Sequence, residues 1–261
     1  MASVLDRIVA AHRATAAADR RPLAELAERA AAAPPPRGFR AALAGEPGLS
    51  VIAEIKRRSP SAGPLAPDLV PADLARRYQS GGAAALSVLT DAEFFGGSAD
   101  DLVHARAACH LPVMRKDFTV AEADVCDARL MGADAVLLIV AALSDPELSR
   151  CRALAVDLGL DALVEVHSEA ELDRAAAAGA DLVGVNRRDL RTFEVDLGLA
   201  ERLAARRPPG VVMVAESGVR GVADLAGLSA CGFDAVLVGQ TLVTAADPGA
   251  ALAGLRAFVA G

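Results

Sequence analysis

The chain has no tryptophan, a single tyrosine and a single asparagine, and aromatic residues make up only 3% of its 261 positions. It has two lysines, Lys56 and Lys116, although Lys and Arg together number 27. The four cysteines, Cys109, Cys126, Cys151 and Cys231, form no C-x-x-C pair. That spacing excludes a local metal knuckle and reads as buried small hydrophobes in a reducing compartment. Positive charge is in deficit, with a net charge of −7, so a dominant basic face for nucleic acid is excluded. A local basic pocket remains compatible with that balance. The longest uncharged apolar run, "AVLLIVAAL" at 135–143, is far short of the ~20 residues that span a bilayer. The first residues lack the basic-then-apolar pattern of a secretion signal. The expectation is a cytoplasmic protein with no membrane contact. G-x-G-x-x-G and G-x-S-x-G are both missing, which argues against a dinucleotide fold and a serine-hydrolase elbow.

What is present is a rhythm. Hydrophobic residues reach 53% and charged residues 23%, enough for a large core and too balanced for disorder. Eight short apolar runs recur, at 50–56, 83–90, 111–116, 134–140, 161–166, 181–186, 210–217 and 234–239. They suit strands buried on both faces. Helical patterns ending in glycine lie between them. "TVAEADVCDARLMGA" predicts a helix capped by Thr119, and "SEAELDRAAAAGA" carries a Ser168-x-x-Glu171 capping box. Strand then helix, eight times, predicts a (β/α)8 barrel of α/β class. Residues 1–47 precede it and read as two helices, near 3–17 and 22–33, broken by "PPPRG". They are taken as an N-terminal helical extension packed on the barrel, with residues 48–261 as the catalytic domain.

In such a barrel the chemistry sits where the strands end. The run ends carry Glu54 and Lys56, Lys116 and Asp117, Glu165, Asn186, then Glu216 with Ser217, then Gly239. Any one of these can be a merely solvated strand end; five strands closing in Lys, Glu, Asn or Ser point to one polar mouth. Of the histidines, His12, His104, His110 and His167, only His167 follows a strand-end acid closely. No His/Asp/Glu group stands at ligand spacing, so no metal and no cofactor are expected. "ESGV" and "VGQTL" end the seventh and eighth runs and are each expected to open a helix, a frequent phosphate site in barrels. Arg188 can add a charge-assisted bond there. Two lysines, several glutamates and a phosphate loop suit acid–base work on a sugar phosphate.

The blocks "IAEIKRRSPSAG", "LSVLTDAEFFGGS", "PVMRKDF", "ALVEVHSEAEL", "GVNRRDLRTFEVDL", "VAESGV" and "VLVGQTL" resemble, in order and spacing, those of the indole-3-glycerol phosphate synthase family. The resemblance covers nearly the whole chain. It implies a lyase of tryptophan biosynthesis that closes a ring in 1-(2-carboxyphenylamino)-1-deoxyribulose 5-phosphate and releases CO2 and water. It implies Lys116 as general acid, Glu165 as acid/base, Glu54 and Lys56 in dehydration and carboxylate binding, and Asn186 in positioning. It places Phe95 and Phe118 on the aromatic ring of the substrate, with Ser59, Arg188, Glu216, Ser217, Gly218, Gly239 and Gln240 as further binding residues near its phosphate and hydroxyls. It also implies association with other enzymes of that pathway. Lysine fits the acid role because it can release a proton when burial or a nearby cation (Arg57, Arg58 or Arg115) lowers its pKa, whereas arginine cannot. This sequence departs from the pattern at Ala62, Arg187 and the Gln240–Thr241 pair. The alternatives are a phosphoribosylanthranilate isomerase-like barrel and an inactive barrel acting as a partner protein. Activity is expected to survive EDTA with no added cofactor; loss on chelation, restored by one divalent ion, would contradict that reading.

Overall fold

The computed structural model describes residues 3–44, 48–189 and 194–259. Eight parallel strands close into one barrel. They are β1 (Ser50–Ile55), β2 (Ala85–Leu89), β3 (Val113–Lys116) and β4 (Ala135–Ile139). They continue as β5 (Asp161–Val166), β6 (Leu182–Asn186), β7 (Val212–Glu216) and β8 (Ala235–Val238). Each pairs with its successor, and β8 closes on β1 in the register Ser50–Ala235 to Ala53–Val238. The apolar runs predicted these strands to within two residues, because strands buried on both faces are mostly apolar along their length. Among the described residues no helix is long and apolar enough to cross a membrane.

The barrel interior is layered by strand parity, as closed eight-stranded barrels are. Ile52, Met114, Leu163 and Val214, all buried in the inner core, come from β1, β3, β5 and β7. Two residues further along the same four strands stand Glu54, Lys116, Glu165 and Glu216. Side chains two apart on a strand share a face. The apolar layer therefore carries a charged layer directly above it, at the strands' C-terminal ends.

The outer helices are α4 (Pro71–Ser80), α5 (Ala99–Ala108), α6 (Glu122–Leu130), α7 (Asp145–Asp157), α8 (Glu169–Ala177), α9 (Gly198–Ala204) and α10 (Val222–Ala230), then α11 (Gln240–Val243) and α12 (Pro248–Val259). Two local expectations need correcting. Thr119 does not cap α6, which starts after Ala121; Asp124, inside the first turn, accepts the Val120 and Ala121 N–H groups at 2.9 Å each. Ser168 does cap α8, accepting the Glu171 N–H at 3.2 Å, but Glu171 reaches back one residue further, to the His167 N–H at 2.7 Å.

Ahead of the barrel lie three helices, α1 (Val4–Ala18), α2 (Leu23–Ala31) and α3 (Phe39–Ala44), where the pattern predicted two. The third, six residues long, is too short for a helical period to register. The expected boundary at 47/48 abuts residues 45–47, which lie outside the described ones, as do residues 190–193 of the "GVNRRDLRTFEVDL" block. The extension touches both ends of the barrel. Phe39 and Leu43 of α3 are fully buried in the inner core, plugging the base. Arg37 and Arg40 precede or open that helix; their N–H groups donate to Asp134 at 2.7 Å and Asp161 at 2.8 Å, at the starts of β4 and β5. α1 lies instead at the mouth, where Arg13 pairs with Glu147 of α7 at 2.8 Å.

Asp134 is fully buried and also accepts the Val113 N–H at 2.7 Å and the Arg106 guanidinium. Removing one partner of a buried ion pair strands the other charge. Arg106→Ala is expected to cost about 3–5 kcal/mol by urea unfolding, towards the low end because two N–H donors remain. It should leave KM unchanged, since the pair sits at the base. A loss below about 1 kcal/mol would show that the two N–H groups alone satisfy Asp134.

Candidate active site

The mouth holds a cavity of about 510 Å³, within the usual range for small-ligand sites. All the candidate residues named from the sequence line it: Glu54, Lys56 and Ser59, then Phe95, Lys116 and Phe118, then Glu165, Asn186 and Arg188, and last Glu216 to Gly218 with Gly239 and Gln240. The β-strands explain why. Glu54, Lys116, Glu165 and Glu216 lie at the ends of strands whose preceding inward side chain is core, so burial of the core fixes the direction of the acid or base above it.

At the centre, Lys116 Nζ donates to Glu165 Oε2 at 2.7 Å and to Glu216 Oε2 at 2.6 Å. Both acids are 2% exposed. Lys56 Nζ donates to Glu54 on the neighbouring side. Asn186 links this cluster to the rim: its amide donates to Glu165 Oε1 at 3.2 Å, and its carbonyl accepts the Ser217 hydroxyl at 2.8 Å and the Arg188 N–H at 3.1 Å. That explains the only asparagine of the chain. It needs a donor and an acceptor on one short side chain.

One ammonium between two carboxylates leaves one acid short of charge. Burial pushes both acids up. Glu165 ends well below the usual carboxylate range, because burial is outweighed by Lys116 and by His167, whose Nε2 lies 3.3 Å from Glu165 Oε1. His167 is itself pushed up to about 10: burial opposes its charge, but Glu165 and Glu171 outweigh burial. Among the described residues Glu216 has no second cation, and its Oε1 is buried without a hydrogen-bond partner. Burial therefore wins there, with Lys116 opposing it and Glu165 adding to it, and Glu216 is pushed up to about 7. Glu216 is thus the acid of this layer that keeps its proton up to about pH 7.

The expectation that Lys116 has a lowered pKa is overturned. Burial does act that way, but Glu165, Glu216 and Glu54 outweigh it and raise the group. The three arginines proposed as neighbouring cations face elsewhere. Arg57 binds Asp101, Arg58 binds main-chain carbonyls of Ala92 and Glu93, and Arg115 binds Asp117 at 2.9 Å and Thr90 at 3.1 Å. The sequence shows the arginines' position but not their reach.

Two glycines make room for the acids. A Cβ on Gly184, in β6, would strike the Glu216 carboxylate, and one on Gly239 would strike that of Glu54. At the rim, Ser217 and Gly218 both have left-handed backbone, φ 64° and φ 74°. A serine there is strained, and such strain is commonest at functional turns. Arg187, buried beside Asn186, holds this turn by donating Nη2 and Nε to the Ser217 carbonyl at 2.6 and 3.1 Å. Sequence reasoning noted Arg187 only as a departure; a buried arginine following a strand-end asparagine was the available signal. The turn does not itself open α10, which begins four residues after Gly218 at Val222. The Gly239 turn leads directly into the four-residue α11. Thr241 ties the two rims, its hydroxyl donating to the Val219 carbonyl at 2.7 Å.

On the opposite side stand Phe95 and Phe118, ring centroids 6.2 Å apart. Val4, Leu5 and Ile8 of α1 complete an apolar wall that sequence reasoning missed. Nor did the spacing show that His12, Asp91 and Asp117 come together, their ligand-capable atoms within 4.8 Å. Their oxygens are already engaged. Asp91 accepts two main-chain N–H groups, and Asp117 accepts Phe118 N–H, Thr90 and Arg115.

Comparison with known proteins accords with this arrangement. A family model described as indole-3-glycerol phosphate synthase matches residues 5–255. Indole-3-glycerol phosphate synthase 2 of Streptomyces coelicolor is 59% identical over 89% of this chain and 90% of its own length. Indole-3-glycerol phosphate synthase of Mycolicibacterium smegmatis is 53% identical over 97% of this chain and 94% of its own. Among solved structures, 3-hexulose-6-phosphate synthase aligns with TM-score 0.64 at 19% identity, covering 81% of this chain and all of its own; at that identity it shows the barrel fold alone.

Because folding favours the neutral form of Glu216, this group's contribution to stability is full below the ordinary carboxylate range and is lost as pH rises through about 7. Glu216→Gln removes that loss. The variant should gain on the wild type between about pH 5 and about pH 8, by on the order of 1–3 kcal/mol in urea unfolding. A gap that stays constant across that window would mean Glu216 is ionised throughout.

Proposed function

The chain belongs to the indole-3-glycerol phosphate synthase family, and from that premise we propose that its barrel mouth closes the indole ring of 1-(2-carboxyphenylamino)-1-deoxyribulose 5-phosphate. The ring carbon bearing the carboxylate attacks the ribulose carbonyl carbon. The carbonyl electron pair moves to oxygen, which takes a proton from Lys116 Nζ. The carboxylate leaves as CO2, and its bonding pair restores the aromatic ring. The new hydroxyl then leaves as water while a proton is lost from the carbon next to nitrogen, giving indole-3-glycerol phosphate.

The observation that carries this reading is the Lys116 ammonium, held 2.7 and 2.6 Å from two buried acids. Its raised pKa does not disqualify it. The oxygen that forms on carbon–carbon attack is an alkoxide, more basic than any amine, so a firmly held ammonium still transfers its proton. Glu216, which titrates at about 7 and touches Lys116 at 2.6 Å, can in its protonated form return a proton to the amine. Glu165, kept ionised by Lys116 and His167, is the base for the proton lost in dehydration. Lys56, paired with Glu54, receives the leaving carboxylate side of the substrate, and the pair assists dehydration. The aromatic end lies on Phe95 and Phe118. The phosphate lies across the mouth at the Ser217–Gly218 and Gly239–Gln240 turns, with Arg188 adding charge-assisted bonds. Main-chain N–H groups do most of that binding, so the Gln240–Thr241 departure costs little. The same reading makes the protein a cytoplasmic enzyme acting on a small phosphorylated substrate beside other enzymes of tryptophan biosynthesis.

The test is the appearance of indole fluorescence on adding that substrate to the purified chain. No signal would leave the inactive-barrel alternative. Lys116→Arg keeps the charge and removes the acid, so kcat should fall ~10²–10⁴-fold. Turnover equal to wild type would take the acid role away from Lys116.

A further inference from the structure

His12 is the one ring of α1 that reaches the polar rim, and nothing in the reaction above uses it. It follows Leu5 and Ile8 at intervals of three and four, so the three share the inner face of the helix. Leu5 and Ile8 line the cavity. His12 Nε2 lies 3.0 Å from Asp91 Oδ2 and 3.7 Å from Asp117 Oδ1. Its ring packs on Phe118, centroids 5.5 Å apart and planes tilted by 35°.

The two aspartates are not passive partners. Asp91 Oδ1 accepts the Phe94 N–H at 2.6 Å and the Phe95 N–H at 2.9 Å, so it sets the main chain that carries the Phe95 ring. Asp117 Oδ1 accepts the Phe118 N–H at 2.8 Å and does the same for the second ring. Asp91 lies in the loop after β2 and Asp117 in the loop after β3. One imidazole therefore joins two loops, each of which aims one of the two aromatic side chains on the apolar side of the cavity. The next residue, Arg13, fixes the same turn of α1 to α7, through Glu147 at 2.8 and 3.1 Å and the Ala142 carbonyl at 3.0 Å. The middle of α1 is thereby anchored, and its first two turns overhang the cavity.

We propose that His12 is a positioning residue for substrate specificity: it holds the Phe95–Phe118 pair at the spacing that grips the aromatic carboxylate end of the substrate. The proposal rests on the reading of that pair given above. The amine and the catalytic acids are untouched by it, so the effect belongs in binding of the aromatic half alone.

The experiment compares wild type, His12→Ala and His12→Gln in three measurements. These are direct binding of 2-aminobenzoate by calorimetry, competitive inhibition by inorganic phosphate, and steady-state kinetics. For His12→Ala, 2-aminobenzoate affinity should weaken and KM rise, each by about tenfold, as for loss of a hydrogen bond to a charged group. The phosphate inhibition constant should stay within about twofold and kcat within about threefold. His12→Gln keeps a donor for Asp91 and should recover part of the lost affinity. If His12→Ala does not fold, His12→Gln carries the test alone, with a smaller loss confined to 2-aminobenzoate. Equal weakening of 2-aminobenzoate and phosphate, or no weakening of either, overturns the proposal, the first by showing general loosening of the mouth. Wild type that binds 2-aminobenzoate in a His12-dependent way yet makes no indole product would sink the proposed function and leave the positioning role standing.

Discussion

Everything at the mouth depends on one ammonium shared by two buried carboxylates. Taking Lys116, Glu165 and Glu216 out of water is expensive, and their attraction offsets that cost only when the geometry is held rigidly. No single strand or helix can bring the three together, since they come from β3, β5 and β7. A closed barrel does so because alternate strands contribute to one layer. The layer beneath is Ile52, Met114, Leu163 and Val214, a packed apolar floor that cannot shift without opening a void. The floor fixes where the charges stand. The charges in turn dictate glycine at 184 and 239, where any side chain would strike a carboxylate.

This arrangement also assigns protonation states without a substrate present. Three acids face three cations: Glu54, Glu165 and Glu216 against Lys56, Lys116 and His167. The cations are not distributed evenly. Glu54 has Lys56, and Glu165 has both Lys116 and His167, whereas Glu216 shares Lys116 and has one oxygen with no partner among the described residues. Two carboxyl groups in one layer are thus pushed apart, one kept as a base and one kept as an acid, by nothing more than which has the second cation. His167 is held for this by Glu171, an acid in the first turn of α8 that also accepts the His167 N–H. A helix-start motif in the sequence therefore does double service as an electrostatic support.

Much of this was legible beforehand because it follows from periodicity. Eight apolar runs match eight strands, and the polar residues at the ends of five of them stand at the mouth because a strand's C-terminal end must. Glu54, Lys116, Glu165 and Glu216 each follow an apolar core residue by two, so even the layer could be read. What was not legible depends on reach across the fold. Arg57, Arg58 and Arg115 adjoin the two lysines in sequence, but each turns to an acid or a carbonyl away from them, and Lys116 instead meets Glu165, Glu216 and Glu54, which raise its pKa. His12 stands 79 residues from Asp91, beyond any spacing rule. Thr119 looked like a cap because threonine often is one, yet Asp124 could satisfy the same N–H groups from inside the helix. The six-residue α3 gave no period to detect, although its Phe39 and Leu43 seal the base of the barrel.

The two ends of the cavity are built from different materials, and that decides how each tolerates sequence change. The side proposed for the phosphate consists of turns: Ser217 and Gly218 in left-handed backbone, fastened by Arg187 at the Ser217 carbonyl and by Thr241 at the Val219 carbonyl. Main-chain groups there keep their direction whatever side chain follows, so a pair such as Gln240–Thr241 can replace other residues with little effect. The aromatic side consists of side chains on two separate loops, and neither ring is braced by a helix of its own. Asp91 and Asp117 accept the main-chain N–H groups at Phe95 and Phe118, and both lie beside His12 of α1. A segment outside the eight strand–helix units is thus tied to the aromatic part of the mouth. The same segment closes the barrel's base through α3. Displacing the extension would for that reason disturb stability from one end and aromatic recognition from the other, while the charged layer between, built wholly on strands, would be the last part to move.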